Sequence, residues 1–223
     1  MTPQLLIFDV NETLLDLSPM KEGITKLLGN PNAYEDWFSI LIQMAMVETL
    51  TDKYSDFGEI GAAALTMTSQ KHSKSISEED LKLTLHLIKE LKPHPEVKEA
   101  LEKLKSKGFR LVALTNGGRE TLEQQMNYSG LESLFDGFYS VESVRKFKPH
   151  PDAYHHVLKK EKTSPEESML VAAHAWDIAG AQQLGMQTAF IKRPGKFPYP
   201  KGKKPPLICK DFTELYMKLT VDA

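Results

Sequence analysis

Hydrophobic and polar positions divide this chain into three patterns. Near the start, four apolar residues, Leu5 to Phe8, run directly into Asp9 and the polar group Asn11, Glu12 and Thr13. Such a run is too short for a helix and reads as a buried parallel strand opening into a loop. From about residue 17 to residue 92 strand character disappears. Apolar residues recur there at helical spacing in Trp37, Ile40, Leu41, Met44 and Val47, and again in Leu81, Leu85, Ile88 and Leu91. Ser77 with Asp80 marks a helix start, and Pro93 and Pro95 close this stretch before a helix from Glu96 to Lys107. Short apolar runs then alternate with helical ones: FRLVALTN, Arg119 to Tyr128, Gly137 to Val141, Asp152 to Lys160, SMLVAA, Asp177 to Leu184, QTAFI, and Asp211 to Leu219.

This rhythm predicts an α/β fold, a Rossmann-like doubly wound parallel sheet with a helical insertion after the first strand. Residues 1–16 and 93–223 form the expected core domain and residues 17–92 the inserted one. The Lys-, Pro- and Gly-rich segment from 192 to 206 reads as an extended surface loop. It is either a solvated connection or a basic rim facing an anionic substrate.

Composition narrows the function. The chain has 223 residues, 41% of them hydrophobic, enough for a buried core. Its 28 basic and 30 acidic residues leave a net charge of -2, with no global attraction for nucleic acid or anionic membrane. No apolar run approaches the roughly 20 residues that a membrane helix requires. Cys209 is the sole cysteine, which rules out an intrachain disulfide, and a cytoplasmic location is expected.

Four polar features fall at predicted strand ends, where open α/β sheets hold ligands. Asp9 ends the first strand. Thr115 and Asn116 end LVALTN before Gly117 and Gly118, Lys148 stands in RKFKPHPDAY, and Asp177 follows MLVAA. Each has a plainer reading alone: a helix cap, a solvated lysine, an acid in a first helical turn.

Together, the segments FDVNETLLD, TNG, KPHPDAY and AWDIAGA resemble the haloacid dehalogenase superfamily across essentially the whole chain, and within it the (S)-2-haloacid dehalogenases. The resemblance implies a hydrolase that forms an ester on its first aspartate, with the helical insertion as a cap. By position, Asp9 is then the nucleophile, Thr13 orients it, and Lys148 keeps it anionic. Thr115 and Asn116 bind the substrate carboxylate, Tyr154 supports the lysine, and Asp177 positions or activates water. A small anionic organic acid is the implied partner, and relatives of this kind often form homodimers.

Asn11 separates dehalogenation from phosphate chemistry. Phosphatases of the superfamily carry an acid at this position to protonate an alkoxide leaving group, whereas halide is a very weak base and needs no proton. No metal is expected on this reading. The alternative, a magnesium-dependent phosphatase, would use Asp9, Asn11 and Asp177 as ligands, although Ala172 and Ala173 stand where its further acid belongs. The resemblance also has gaps. Phe38 follows Trp37 where the relatives carry an arginine that binds halide and substrate, so Phe38 becomes a candidate pocket residue, with Lys53 or Arg119 as substitutes for the lost charge. His174 stands where an asparagine is frequent and offers a second water-activating base. A third reading is a binding protein whose catalytic site has decayed.

Overall fold

Four fully buried apolar residues form strand β1 (Leu5–Phe8) at the centre of the sheet. A computed structural model describes residues 3–220. Its other strands are β2 (Arg110–Thr115), β3 (Gly137–Ser140), β4 (Ser168–Ala172), β5 (Gln187–Ile191) and β6 (Leu207–Cys209). They lie in the order β3-β2-β1-β4-β5-β6, all parallel. Leu5 pairs with Arg110 on one side and Ser168 on the other. The chain therefore winds outward from β1 in both directions, which opens a crevice beyond the carboxyl ends of β1 and β4. Helices α5 (Val97–Ser106), α6 (Arg119–Ser129), α7 (Pro151–Glu161), α8 (Ala175–Gln183) and α9 (Phe212–Thr220) connect and flank the strands. Their cover explains why β1 and β4 are buried along their whole lengths and, Ser168 apart, apolar.

Between β1 and α5 lie only helices: α1 (Ser18–Leu28), α2 (Ala33–Leu50), α3 (Phe57–Lys71) and α4 (Glu78–His86), with a short 3-10 turn after the last. Local chemistry starts two of them. The Ser77 hydroxyl accepts from the Asp80 amide at 3.0 Å, as the sequence predicts, and Asp56 with Glu59 forms a capping box at α3. The chain leaves the sheet and returns at adjacent points: the Asp16 amide donates to the Lys92 carbonyl at 2.9 Å and the His94 amide to the Leu14 carbonyl at 3.0 Å. No helix among the described residues is long and apolar enough to cross a membrane.

Two details depart from the sequence pattern. Strand β6 follows the Pro-rich loop and was not anticipated, because three residues, Leu207 to Cys209, carry no periodicity and gain strand geometry only from pairing with β5. Helix α8 begins at Ala175, so Asp177 lies inside its first turn.

Candidate active site

The end of β1 delivers Asp9 into the crevice, 5% exposed. Its two carboxylate oxygens have different surroundings. Oδ1 accepts one hydrogen bond, from Lys148 Nζ at 2.8 Å, while Oδ2 accepts from the Thr13 hydroxyl at 2.6 Å and from His174 Nδ1 at 2.9 Å. The Thr13 oxygen in turn accepts from the Ala173 amide at 3.0 Å, which directs its proton to Asp9. Burial opposes the charge on Asp9, but Lys148 and His174 outweigh it and hold the carboxyl far below the usual range.

Lys148 is as buried as any apolar core residue, 1% exposed, and all three of its protons are used: on Asp9, on Asp177 Oδ2 at 2.6 Å and on the Leu114 carbonyl at 3.1 Å. Burial disfavours the ammonium, yet the two carboxylates raise its pKa above the ordinary lysine value. Asp177 shifts opposite to Asp9, its carboxyl raised by burial and by neighbouring Asp9 against the pull of Lys148.

The structure brings Asp9, Thr13, Lys148, Asp177 and His174 into one cluster and changes two expected roles, those of Tyr154 and His174. Tyr154 neither supports Lys148 directly nor faces a substrate: its hydroxyl, fully buried, donates to Asp177 Oδ1 at 2.6 Å. Thr115 also braces its own turn, its hydroxyl oxygen accepting from the Gly117 amide at 3.0 Å, which leaves its proton to donate. His174 is not a free base. Both ring nitrogens face carboxylates, Asp9 and, at 2.8 Å from Nε2, Glu12, so both donate and the ring is an imidazolium. Burial works against that charge, but the two acids raise its pKa to about 9.

Asn116 and Asn11 are oriented by unambiguous partners. The Lys148 backbone amide can only donate, so it fixes Asn116 Oδ1 at 2.8 Å and leaves the Asn116 NH2 buried without a partner. An unmet buried donor costs about 1–3 kcal/mol, and a carboxylate is an acceptor that relieves it. The Ile88 carbonyl can only accept, which turns Gln125 Nε2 towards it at 2.8 Å and also onto Asn11 Oδ1 at 2.9 Å. Asn11 therefore has its own NH2 free of that pairing. Asn11 and Gln125 line a cavity of ≈ 80 Å³ with Trp37, Phe38, Leu41 and Gly117. Phe38 stacks on His174, ring centroids 5.6 Å apart, so it stands between this cavity and the histidine that touches Asp9.

Three participants were invisible in the sequence. Glu12 sits in the left-handed region at φ 61, rare for a side chain of its kind, and there accepts from Tyr34 Oη at 3.1 Å as well as from His174. Lys196 Nζ pairs with Glu12 at 2.6 Å and lies 4.8 Å above the Phe38 ring. Gln125 orients Asn11. Nothing in residue spacing links positions so distant in the chain. The loop from 192 to 206 is mostly exposed, as a solvated connection would be, but Lys196 is spent on Glu12 and Arg193 binds Glu96 at 2.8 Å and the Thr13 carbonyl at 2.8 Å. Arg119 pairs with Glu123 on its own exposed helix face, and Lys53 is exposed, so neither takes the place of the absent arginine.

Magnesium does not fit the donors proposed for it. Asp9 and Asp177 have all their oxygens engaged by Lys148, Thr13, His174 and Tyr154, and the Lys148 ammonium occupies the space between them where a cation would stand. Among the described residues no group of three or more His, Cys, Asp or Glu is arranged to hold a metal.

Comparison with known proteins agrees with this geometry. The family model described as haloacid dehalogenase-like hydrolase matches residues 6–191. Haloacetate dehalogenase H-2 of Moraxella sp. (strain B) is 33% identical over 195 residues, covering 85% of this chain and 86% of that protein. (S)-2-haloacid dehalogenase 4A of Burkholderia cepacia is 29% identical, covering 86% and 84%. A solved dehalogenase with an intermediate complex superposes with a TM-score of 0.90 at 26% identity, covering 96% of each chain. The L-2-haloacid dehalogenase of Xanthobacter autotrophicus with chloropropionic acid covalently bound shares the fold, with a TM-score of 0.91 at 21% identity over 99% of this chain and 100% of that one. From the strand-end cluster around Asp9 to the match along most of its length, this chain belongs to the haloacid dehalogenase-like hydrolase family.

Proposed function

We propose that this protein hydrolyses the carbon–halogen bond of a small (S)-2-haloacid through an ester on Asp9. The observation that carries this reading is the Asp9 carboxylate itself, buried and ionised between Lys148 and His174 with the non-acidic amide of Asn11 two residues away. Relatives named for haloacetate and (S)-2-haloacid dehalogenation support it. The substrate carboxylate takes the unspent NH2 of Asn116. Asp9 Oδ1, which has the fewer hydrogen bonds, displaces halide from the carbon and inverts it. Water then adds to the aspartyl carbonyl carbon, passing a proton to Asp177, whose raised pKa makes it the stronger base of the two aspartates. Collapse expels the 2-hydroxy acid, which recovers that proton, and the regenerated Asp9 ionises.

Residues 17–92 act as the cap over this site. With Phe38 in place of a guanidinium, halide leaves towards neutral donors such as the Asn11 NH2, so turnover should follow leaving-group ability, bromide before chloride, with fluoride retained. Halide release from chloroacetate and from (S)-2-chloro- and 2-bromopropionate tests the reading. Release that vanishes in Asp9→Asn is expected; no halide from any of these acids would overturn it.

A further inference from the structure

We propose that Glu12 is a positioning residue: it holds His174 with both ring N–H groups donating, so that Nδ1–H and the Thr13 hydroxyl together receive the oxyanion on Asp9 Oδ2 when water opens the ester. This rests on the aspartyl-ester reading above. The geometry begins with the asymmetry of Asp9. An ester oxygen is a poor acceptor, whereas a carbonyl oxygen is a good one, so the oxygen with a single hydrogen bond is suited to attack and the one with two to remain carbonyl. Oδ1 has only Lys148, and Oδ2 has Thr13 at 2.6 Å and His174 at 2.9 Å. In ester hydrolysis a water oxygen bonds to Cγ, the carbonyl π pair moves onto Oδ2, and the developing charge falls between two donors already in place. Preorganised donors of this type each contribute about 10²–10³ in rate.

A neutral histidine could not be relied on for this, because one of its nitrogens would be an acceptor. Glu12 removes that freedom. Its Oε2 lies 2.8 Å from Nε2, and its own place is set by Lys196 at 2.6 Å and Tyr34 at 3.1 Å. The remaining charges around the ring are Asp9 itself and, beyond it, Lys148 with Asp177; the two ring faces are covered by Phe38 and Trp176, with centroids at 5.6 Å and 5.0 Å. The backbone of Glu12 shows the same purpose. A glutamate held at φ 61 occupies a conformation that costs free energy, and what the turn gains in that conformation is a carboxylate on His174.

Rapid-quench kinetics with (S)-2-bromopropionate separates the two half-reactions. In Glu12→Gln, and equally in His174→Gln, the halide burst should stay near one per site while steady-state turnover falls about a hundredfold to a thousandfold, and intact mass should show the acid adduct accumulating on Asp9. Turnover equal to the parent protein, or a burst lost together with turnover as in Asp9→Asn, would overturn the proposal. A parent protein that releases no halide would instead refute the dehalogenation reading, and the pairing would then be judged by imidazole 15N spectra at pH 7. Two protonated nitrogens on His174 in the parent and a single-proton tautomer in Glu12→Gln support it; identical spectra refute it. If Glu12→Gln does not fold by circular dichroism, His174→Gln decides the kinetic arm by the same adduct.

Discussion

Lys148 places one ammonium 2.8 Å from Asp9 and 2.6 Å from Asp177 in a buried site. Replacing it by Met leaves Asp9 with His174 alone and Asp177 with no counter-charge, so Asp177 must take up a proton. Lys148→Met should lower turnover by about a thousandfold or more at pH 7 and cost about 3–5 kcal/mol in urea unfolding. Part of that stability should return near pH 4, where the acids protonate. A variant as stable as its parent at pH 7 would show that the ion cluster is solvated. At this scale Asp9, Asn116, Lys148 and Asp177 were readable in advance, because each ends or follows a strand and the sheet brings strand ends together, while Thr13 was readable only through the resemblance. Glu12, Gln125 and Lys196 were not, since their partners His174, Asn11 and Glu12 are chosen by tertiary approach across the cluster. Tyr154 shows the intermediate case: its place was legible and its partner was off by one residue in the chain of contacts, Asp177 in place of Lys148.

Helices α7 and α8 are held at the distance that the Tyr154–Asp177 hydrogen bond requires by one residue without a side chain. A Cβ at Gly180 would stand 2.6 Å from both Pro149 Cβ and the Tyr154 oxygen, and 2.9 Å from the Pro149 carbonyl. Alanine normally stabilises a helix interior by about 1 kcal/mol over glycine. Here the contact reverses the sign. Gly180→Ala should cost about 1–3 kcal/mol of stability and lower kcat, measured by thermal melting and steady-state kinetics. An unchanged melting temperature would mean that the two helices can part freely. The long elements were legible because their burial repeats along the chain, as in the wholly buried β4 and the Trp37–Leu41 face of α2. Strand β6 and the first turn of α8 were not, for one is too short to show a period and the other begins with Ala175 and Trp176, which favour no boundary.

The whole molecule carries a net charge of -2, so its opposing charges act locally, and stability should follow the pH range in which they are all present. Asp9 is depressed from 3.8, and its contribution is present above that value and lost as pH falls through its folded pKa. His174 is raised from 6.5 to about 9, and its contribution is complete below 6.5 and lost as pH rises through about 9. Asp177, raised by burial, works against Asp9 and blunts the acid side. Thermal unfolding should be highest between about pH 4 and 6.5 and decline towards pH 9, a decline that His174→Gln should flatten. A melting temperature rising from pH 6.5 to 9 would contradict this charge assignment.

The crossing points at Leu14–Asp16 and Lys92–His94, stitched to each other by backbone hydrogen bonds, separate two kinds of inheritance. Because the ends of the intervening segment already touch, its length and sequence can change with little added cost in loop closure and no shift in strand register. On the proposed reading reactivity is passed on with the strand ends, and selectivity, set in the cavity that Phe38 lines, can be rewritten like an interchangeable part.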